Sequence, residues 1–267
     1  MMDRDTAIVR DHYDKGVQFE WDRIAGRPEF LLTCRMLDRY IKPGDKVLDI
    51  GGGPGRYSFY LAEKGCNVTL LDLSAENTKF AAGQAAEQGL DVKTVAGDAR
   101  EADTLVSGPF DHVLLMGPLY HILEEAGRIQ AIDAALRLLK PGGLLFAAFV
   151  PIGGGLVFCL RDLPHVIADP AEAKYIKALV EDTDFAGDGF TRIYFIHQNE
   201  ILPFMSRFPL EKLHLFGQES IIMPNERNIM AQPPEIVVAW LDLAEKMWEE
   251  EEYLSWAEHL MYVGRKL

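Results

Sequence analysis

The chain has 267 residues, 48% of them hydrophobic, with a formal net charge of -14, which suits one large globular core and excludes a disordered chain. An acidic excess of that size excludes the concentrated basic face that nucleic acid or an anionic membrane surface requires. No apolar run reaches the about 20 residues needed to span a bilayer, the charged start Met1-Met2-Asp3-Arg4-Asp5 leads into no signal-type stretch, and Cys34, Cys66 and Cys159 show no paired spacing, so a cytoplasmic protein with reduced thiols is expected.

Residues 6–24 have helical periodicity through Tyr13, Val17, Trp21 and Ile24, and Pro28 opens a second helix that runs to about Tyr40. Beyond the Pro43-Gly44-Asp45 turn the pattern alternates. Strands are expected at 46–50, 67–73, 91–96, 110–116 and 144–150. Helices are expected at 57–64, 75–88 and 127–139, the last ended by Pro141-Gly142-Gly143. Past Gly153-Gly154-Gly155 the chain is less regular. Helices are expected at 156–168 and 171–182, a strand at 191–197, a short helix at 199–207, a strand at 213–218, a loop at 224–234, a helix at 235–252 and a final strand at 259–266. Strands that alternate with helices and are apolar on both faces predict a doubly wound α/β fold with a parallel sheet covered on both sides. In such sheets ligands bind at the carboxyl ends of the strands, near the point where strand order reverses.

The polar residues of this part of the chain fall at that edge. The first strand runs into Asp49-Ile50-Gly51-Gly52-Gly53-Pro54-Gly55, where glycines at 51, 53 and 55 let the backbone approach a ligand, and Asp49 is expected to accept hydrogen bonds from amides of the turn and hold it open. Asp72 and Leu73 end the second strand. Asp98 and Ala99 follow the third, and Met116 and Gly117 end the fourth. An acid about 20 residues past a glycine turn suits both hydroxyls of a ribose. The dinucleotide fingerprint, however, wants Gly-x-Gly-x-x-Gly, and the spacing Gly51-x-Gly53-x-Gly55 disfavours a nicotinamide-dependent oxidoreductase.

Asp-x-Gly-x-Gly-x-Gly is the S-adenosylmethionine (SAM) variant, and the chain resembles the class I SAM-dependent methyltransferases from Val47 to Val150. The resemblance extends upstream through Glu20-Trp21-Asp22-Arg23 and downstream to His259–Lys266. It is strongest toward bacterial small-molecule enzymes that carry Leu-Asp-Ile-Gly-Gly-Gly-Pro-Gly-Arg-Tyr and Gly-Pro-Leu-Tyr-His motifs. It implies a Rossmann-like seven-stranded sheet with an antiparallel last strand, a helical N-terminal lid (1–42), a SAM-binding core (43–150), an insertion that forms the acceptor pocket (151–212) and C-terminal strands and a helix (213–267). It further implies that Gly51 and Gly53 lie under the methionyl and ribose portion, that Asp98 accepts the adenine amino group while the Ala99 amide meets the ring, and that a carbonyl at Met116–Gly117 receives the methionine amino group. Tyr13 and Arg23 are then placed to meet the methionine carboxylate.

A sulfonium carries its own activation, since a neutral thioether leaves, so alignment and exclusion of water are the protein's main tasks. A general base helps only a protonated acceptor, and His121, with an ordinary pKa near 6.5, is the leading candidate, with Tyr120 to orient the acceptor. His12, His165 and His197 are weaker candidates. Arg161, His165, Arg192, Tyr194 and His197 are candidates to read a polar acceptor, whereas Phe158, Phe185, Phe190, Phe195 and Phe204 chiefly pack. The histidines show no metal-ligand spacing. The expected partner is a small-molecule methyl acceptor for O- or N-methylation, the expected state a monomer or homodimer. The alternatives are transfer of another group from a SAM-like sulfonium and a non-catalytic SAM-binding module. A nucleic-acid methyltransferase is disfavoured by charge and by Gly-Pro-Leu-Tyr standing where such enzymes place a polar grip on a flipped base.

Overall fold

A computed structural model describes residues 2–170, 174–181 and 183–267; residues 171–173 and 182 of the expected 171–182 helix lie outside that set. Helices α1 (Arg4–Lys15), α2 (Val17–Arg23) and α3 (Pro28–Tyr40) come first. The single expected N-terminal helix is two, because Gly16 ends α1. Next follow β1 (Lys46–Ile50), α4 (Arg56–Glu63), β2 (Asn67–Asp72), α5 (Ala75–Gln88), β3 (Val92–Ala96), α6 (Ala102–Leu105), β4 (Phe110–Leu115), α7 (Glu125–Leu138) and β5 (Leu139–Phe149). β5 begins five residues earlier than expected. Leu139 already pairs with Phe110, and an irregularity in the ladder near Phe110 and His112 absorbs the Pro-Gly-Gly segment that reads as a helix stop.

The remainder comprises α8 (Ile152–Asp162), α9 (Lys174–Val180), the hairpin β6 (Phe185–Asp188) and β7 (Arg192–Phe195), α10 (Gln198–Met205), β8 (Leu210–Gly217), α11 (Glu226–Met230), α12 (Pro234–Met247), α13 (Glu251–Leu254) and β9 (Leu260–Lys266). β6 is absent from the sequence reading, and the expected loop at 224–234 holds α11. The expected helix at 235–252 stops at Met247, and β8 starts at Leu210, inside the segment read as insertion.

The main sheet has seven strands in the order β3-β2-β1-β4-β5-β9-β8. β1 pairs in parallel with both β2 and β4, and β9 is antiparallel to β5 and β8. This is the expected doubly wound α/β architecture with an antiparallel last strand. Side chains alternate across the sheet. Leu48, Ile50, Leu145, Ala147 and Phe149 face one apolar layer with α7 residues such as Ala131 and Ile132. Val47, Leu144, Phe146 and Ala148 face the other, with Leu32, Met36 and Leu37 of α3 and Leu241 of α12. Strand order reverses at β1, which puts a crevice above the carboxyl ends of β1 and β4. β8 runs parallel to β5, so its carboxyl end, and the amino end of antiparallel β9, reach the same edge.

Candidate active site

The cleft at this edge is lined by Asp49, Gly51, Gly52, Gly53, Asp72, Leu73, Asp98, Ala99, Met116, Gly117, Tyr120 and His121 from the sheet loops and by Thr6, Val9, Tyr13, Glu20, Arg23 and Glu29 from the N-terminal helices. Gln218 and His259 complete it from the far strands. Gly55 is adjacent but does not line it. Its φ of 101° turns the chain into α4, with Phe59 packed beneath.

The turn is built from backbone that other residues cannot adopt. Gly51 has φ 77°, and a Cβ there would lie 2.5 Å from Pro118 Cδ. Gly53 has φ 56°, and its Cβ would meet only Asn77 Nδ2, at 4.0 Å, so a side chain there would project into the open cleft. The carboxylate that steadies this turn is Asp72. It accepts from Gly53 N–H (2.8 Å), Ser74 N–H (2.9 Å) and Asn77 Nδ2 (3.2 Å). Burial raises its pKa and those hydrogen bonds oppose the rise. Asp49 therefore does not hold the turn amides as expected. It is fully buried under Gly52, takes the hydroxyl of Ser58 on α4 at 2.7 Å, and its Oδ1 has no partner among the described residues. Burial pushes its pKa up to about 7.

Asp98 faces the cleft but is clamped by Arg100, whose Nε lies 3.0 Å from Oδ1 and whose Nη2 lies 2.5 Å from Oδ2. The same guanidinium reaches Asp3 at 3.2 Å and Thr6 Oγ1 at 2.9 Å, the cap and first turn of α1. Asp14, near the other end of α1, accepts from Ser74 Oγ at 2.5 Å. α1 is thus fastened along the cleft at both ends.

Tyr13 and Arg23, the residues placed for a methionine carboxylate, both line the cleft but are engaged with protein groups. The Tyr13 hydroxyl lies 2.7 Å from His121 Nε2, and Arg23 pairs with Glu20 (2.8 Å) and Glu29 (3.3 Å). His121 Nδ1 lies 2.8 Å from the carbonyl of Arg192 on β7. A carbonyl only accepts, so Nδ1 carries the proton, and Nε2 accepts from Tyr13. Burial drives the His121 pKa down to about 4, which revises the expectation of a base poised near 6.5: the imidazole is neutral throughout the physiological range. Tyr120 lies beside it, ring centroids 4.9 Å apart, and burial raises its pKa.

At the far end, His259 Nδ1 lies 2.7 Å from Glu219. Burial alone would lower its pKa, but Glu29 and Glu219 hold it up at about 9. Sequence reading passed over Glu29, Gln218 and Glu219. The signal was available: a polar pair directly after an apolar strand, at an edge where strand ends collect ligands.

No described residue of 151–212 lines the cleft. Arg161 pairs instead with Asp162, Glu226 and Glu258, His165 is exposed, Tyr194 donates to Asp184, and His197 caps α10. Trp21 is covered by the Arg56 guanidinium, 3.4 Å from its ring centroid, and packs on Phe59 and Phe80.

Residues 47–143 match the family described as methyltransferase domain. A ubiquinone biosynthesis O-methyltransferase of Caulobacter vibrioides is 40% identical over 105 residues, 39% of this chain and 40% of that protein. One from Cronobacter sakazakii is 29% identical over 174 residues, 65% of each. The chain therefore spans less than two thirds of the length of these relatives. The magnesium protoporphyrin IX methyltransferase of Synechocystis, solved with S-adenosylhomocysteine (SAH) bound, shares the fold with a TM-score of 0.60 and 17% identity, over 98% of this chain and 100% of that one. Residues 47–143 of this chain are thus similar to a methyltransferase-domain family.

Proposed function

We propose that this protein binds SAM in the cleft and transfers its methyl group to an oxygen of a small molecule. The observation that carries the reading is the glycine turn at the strand-order reversal, with Gly53 open to the cleft and Asp72 beside it. A Cβ at 53 would occupy space that a bound nucleoside needs. The names of the curated relatives favour oxygen over nitrogen.

SAM, when bound, supplies a methyl group already activated on a sulfonium. In this reading Asp72 accepts from the ribose hydroxyls, and the Gly51–Gly53 backbone supports the sugar and methionyl chain. Asp98 and the Ala99 amide take the adenine edge once Arg100 shares the carboxylate. Arg23 offers charge to the methionine carboxylate, and the Met116–Gly117 backbone offers a carbonyl to its amino group. Helix α1, with Tyr13, acts as a lid that excludes water.

His121 serves an acceptor hydroxyl in a defined way. Its Nδ1 proton is fixed on the Arg192 carbonyl, so Nε2 is the accepting nitrogen, and in this structure the Tyr13 hydroxyl covers it. An acceptor that displaces Tyr13 presents its own proton to Nε2 while Tyr120 contacts its body.

The test is calorimetric titration of SAM and SAH into the full chain, followed by mass spectrometry of candidate hydroxylated acceptors. Binding that falls at least tenfold in Asp72→Ala, and a product heavier by one methyl group, support the proposal. No binding at millimolar SAM overturns it.

A further inference from the structure

At the edge of the cleft lies a side-chain cluster that methyl transfer from a sulfonium does not demand. Glu29 lies in the first turn of α3, Glu219 follows β8, and His259 directly precedes β9. One carboxylate oxygen of each glutamate and one ring nitrogen of His259 all lie within 4.8 Å of one another. Glu219 is fully buried and Glu29 is 6% exposed, so neither is a solvated surface acid. Glu219 is oriented by His259, which contacts it through the backbone N–H (3.1 Å) and Nδ1 (2.7 Å). Glu29 has a longer contact, 3.3 Å, to Arg23, whose Nε is turned to Glu20.

A separate observation points to a ligand. Gln218 is 2% exposed and lines the cleft. Its Nε2 donates to Thr33 Oγ1, one helical turn beyond Glu29, and its backbone N–H donates to the His259 carbonyl. Its Oε1 has no partner among the described residues. A buried amide oxygen left without a donor costs roughly 1–3 kcal/mol, and the side chain that bears it reaches the helix that carries Glu29 while its backbone is tied to His259.

We propose that Glu29, Glu219 and His259 bind one divalent cation, with Gln218 Oε1 as a fourth donor and an open position toward the cleft. Two carboxylates, an amide oxygen and an imidazole form a donor set for manganese, zinc or a similar borderline metal. Metal–ligand bonds of about 2.0–2.2 Å place opposed ligand atoms up to about 4.4 Å apart, so these side chains need only a small inward shift. An organic ammonium would satisfy the carboxylates through hydrogen bonds, whereas a borderline metal takes imidazole, carboxylate and amide oxygen together as ligands. No spacing rule finds this set, because its members come from three segments that meet only at the sheet edge. The ion's open position would hold an acceptor through its oxygen. That role rests on the methyltransferase reading, and the ion site itself does not.

The test is titration of Mn²⁺ into the full chain without SAM, with free Mn²⁺ read by electron paramagnetic resonance, and competition by Zn²⁺. One saturable site per chain is expected, weakened about tenfold or more in Glu219→Gln and in His259→Asn, with SAH titrated into the same samples. No saturable site in the native protein, or a site that neither folded variant weakens, overturns the proposal. If Glu219→Gln fails to fold by circular dichroism, His259→Asn decides the assignment, and if both fail the native titration decides. Ion binding without SAH binding would sink the methyltransferase reading and leave this site standing. SAH binding without ion binding would do the reverse.

Discussion

The two ends of the cleft are built by different means. The end above β1 and β2 is main chain: glycines with left-handed backbone, amides, and one carboxylate drawn from 19 residues away, all within a short stretch of sequence. The end above β5, β9 and β8 is side chain: Glu29 from the first turn of α3 meets Glu219 and His259 beside the ends of the last strands, with Gln218 next to them. The first design has no slack, because one added Cβ has nowhere to go except into the ligand's space. The second spreads its charge over several groups, so single losses are shared. This difference matches the two tasks proposed here. A cofactor of fixed shape suits a rigid backbone mould, and an acceptor surface that varies suits exchangeable side chains.

The largest effect expected is at the mould. Gly53→Val should weaken SAH binding by more than about 100-fold, equivalent to about 2.7 kcal/mol, while the fold by circular dichroism is kept. A smaller loss than that of any single change at the far end would break the comparison. Next, Asp72→Ala removes both a ribose partner and the acceptor of the Gly53 N–H, and calorimetry should show a loss of about 10- to 100-fold, in line with roughly 1.5–3 kcal/mol for a charged hydrogen bond. His121→Ala should lower kcat about tenfold or more and leave SAH affinity within a few-fold. The native kcat profile should show no inflection near pH 6.5 from this residue, since its pKa lies at about 4 in the folded protein.

The subtlest effect concerns stability. The Asp49 carboxyl, raised to about 7, keeps its proton in the folded chain at pH values where the unfolded chain has lost it. Stability therefore falls as pH rises from about 4 to 7 and levels off above that. Asp49→Asn lacks this loss. Thermal melts should place the variant above the native protein at pH 8, with the gap closed or reversed at pH 5. A gap that does not depend on pH would show that Asp49 is charged in the folded state.

Much of the frame was legible in the sequence, and for a physical reason. The strands from 46 to 116 are short apolar runs closed by glycine or aspartate, and each pairs with a neighbour by local rules. Helix α3 and helix α5 start at a Pro and a Ser cap and end where expected. Partnerships across the chain were not legible. Tyr13 and His121 are 108 residues apart, and nothing in either segment signals that a hydroxyl will cover an imidazole. Asp49 reads as a turn-holder because it precedes the glycines, but strand alternation turns it down toward α4 and Ser58, leaving that task to Asp72. Strand β6 escaped notice because Phe185-Ala186-Gly187-Asp188 is short and holds a glycine, a weak strand signal that only its partner β7 redeems.

The hairpin of β6 and β7 touches the proposed chemistry through a main-chain oxygen, that of Arg192, and through the Phe190 ring, whose centroid lies 5.7 Å from that of His121. Side chains on that ribbon other than Phe190 can consequently drift without altering which nitrogen of the imidazole is bare. The ribbon's path is what has to persist. A graft of foreign hairpin sequence that keeps the length, the register and Phe190 would keep the proton where it is, and a one-residue deletion would free the ring to turn over.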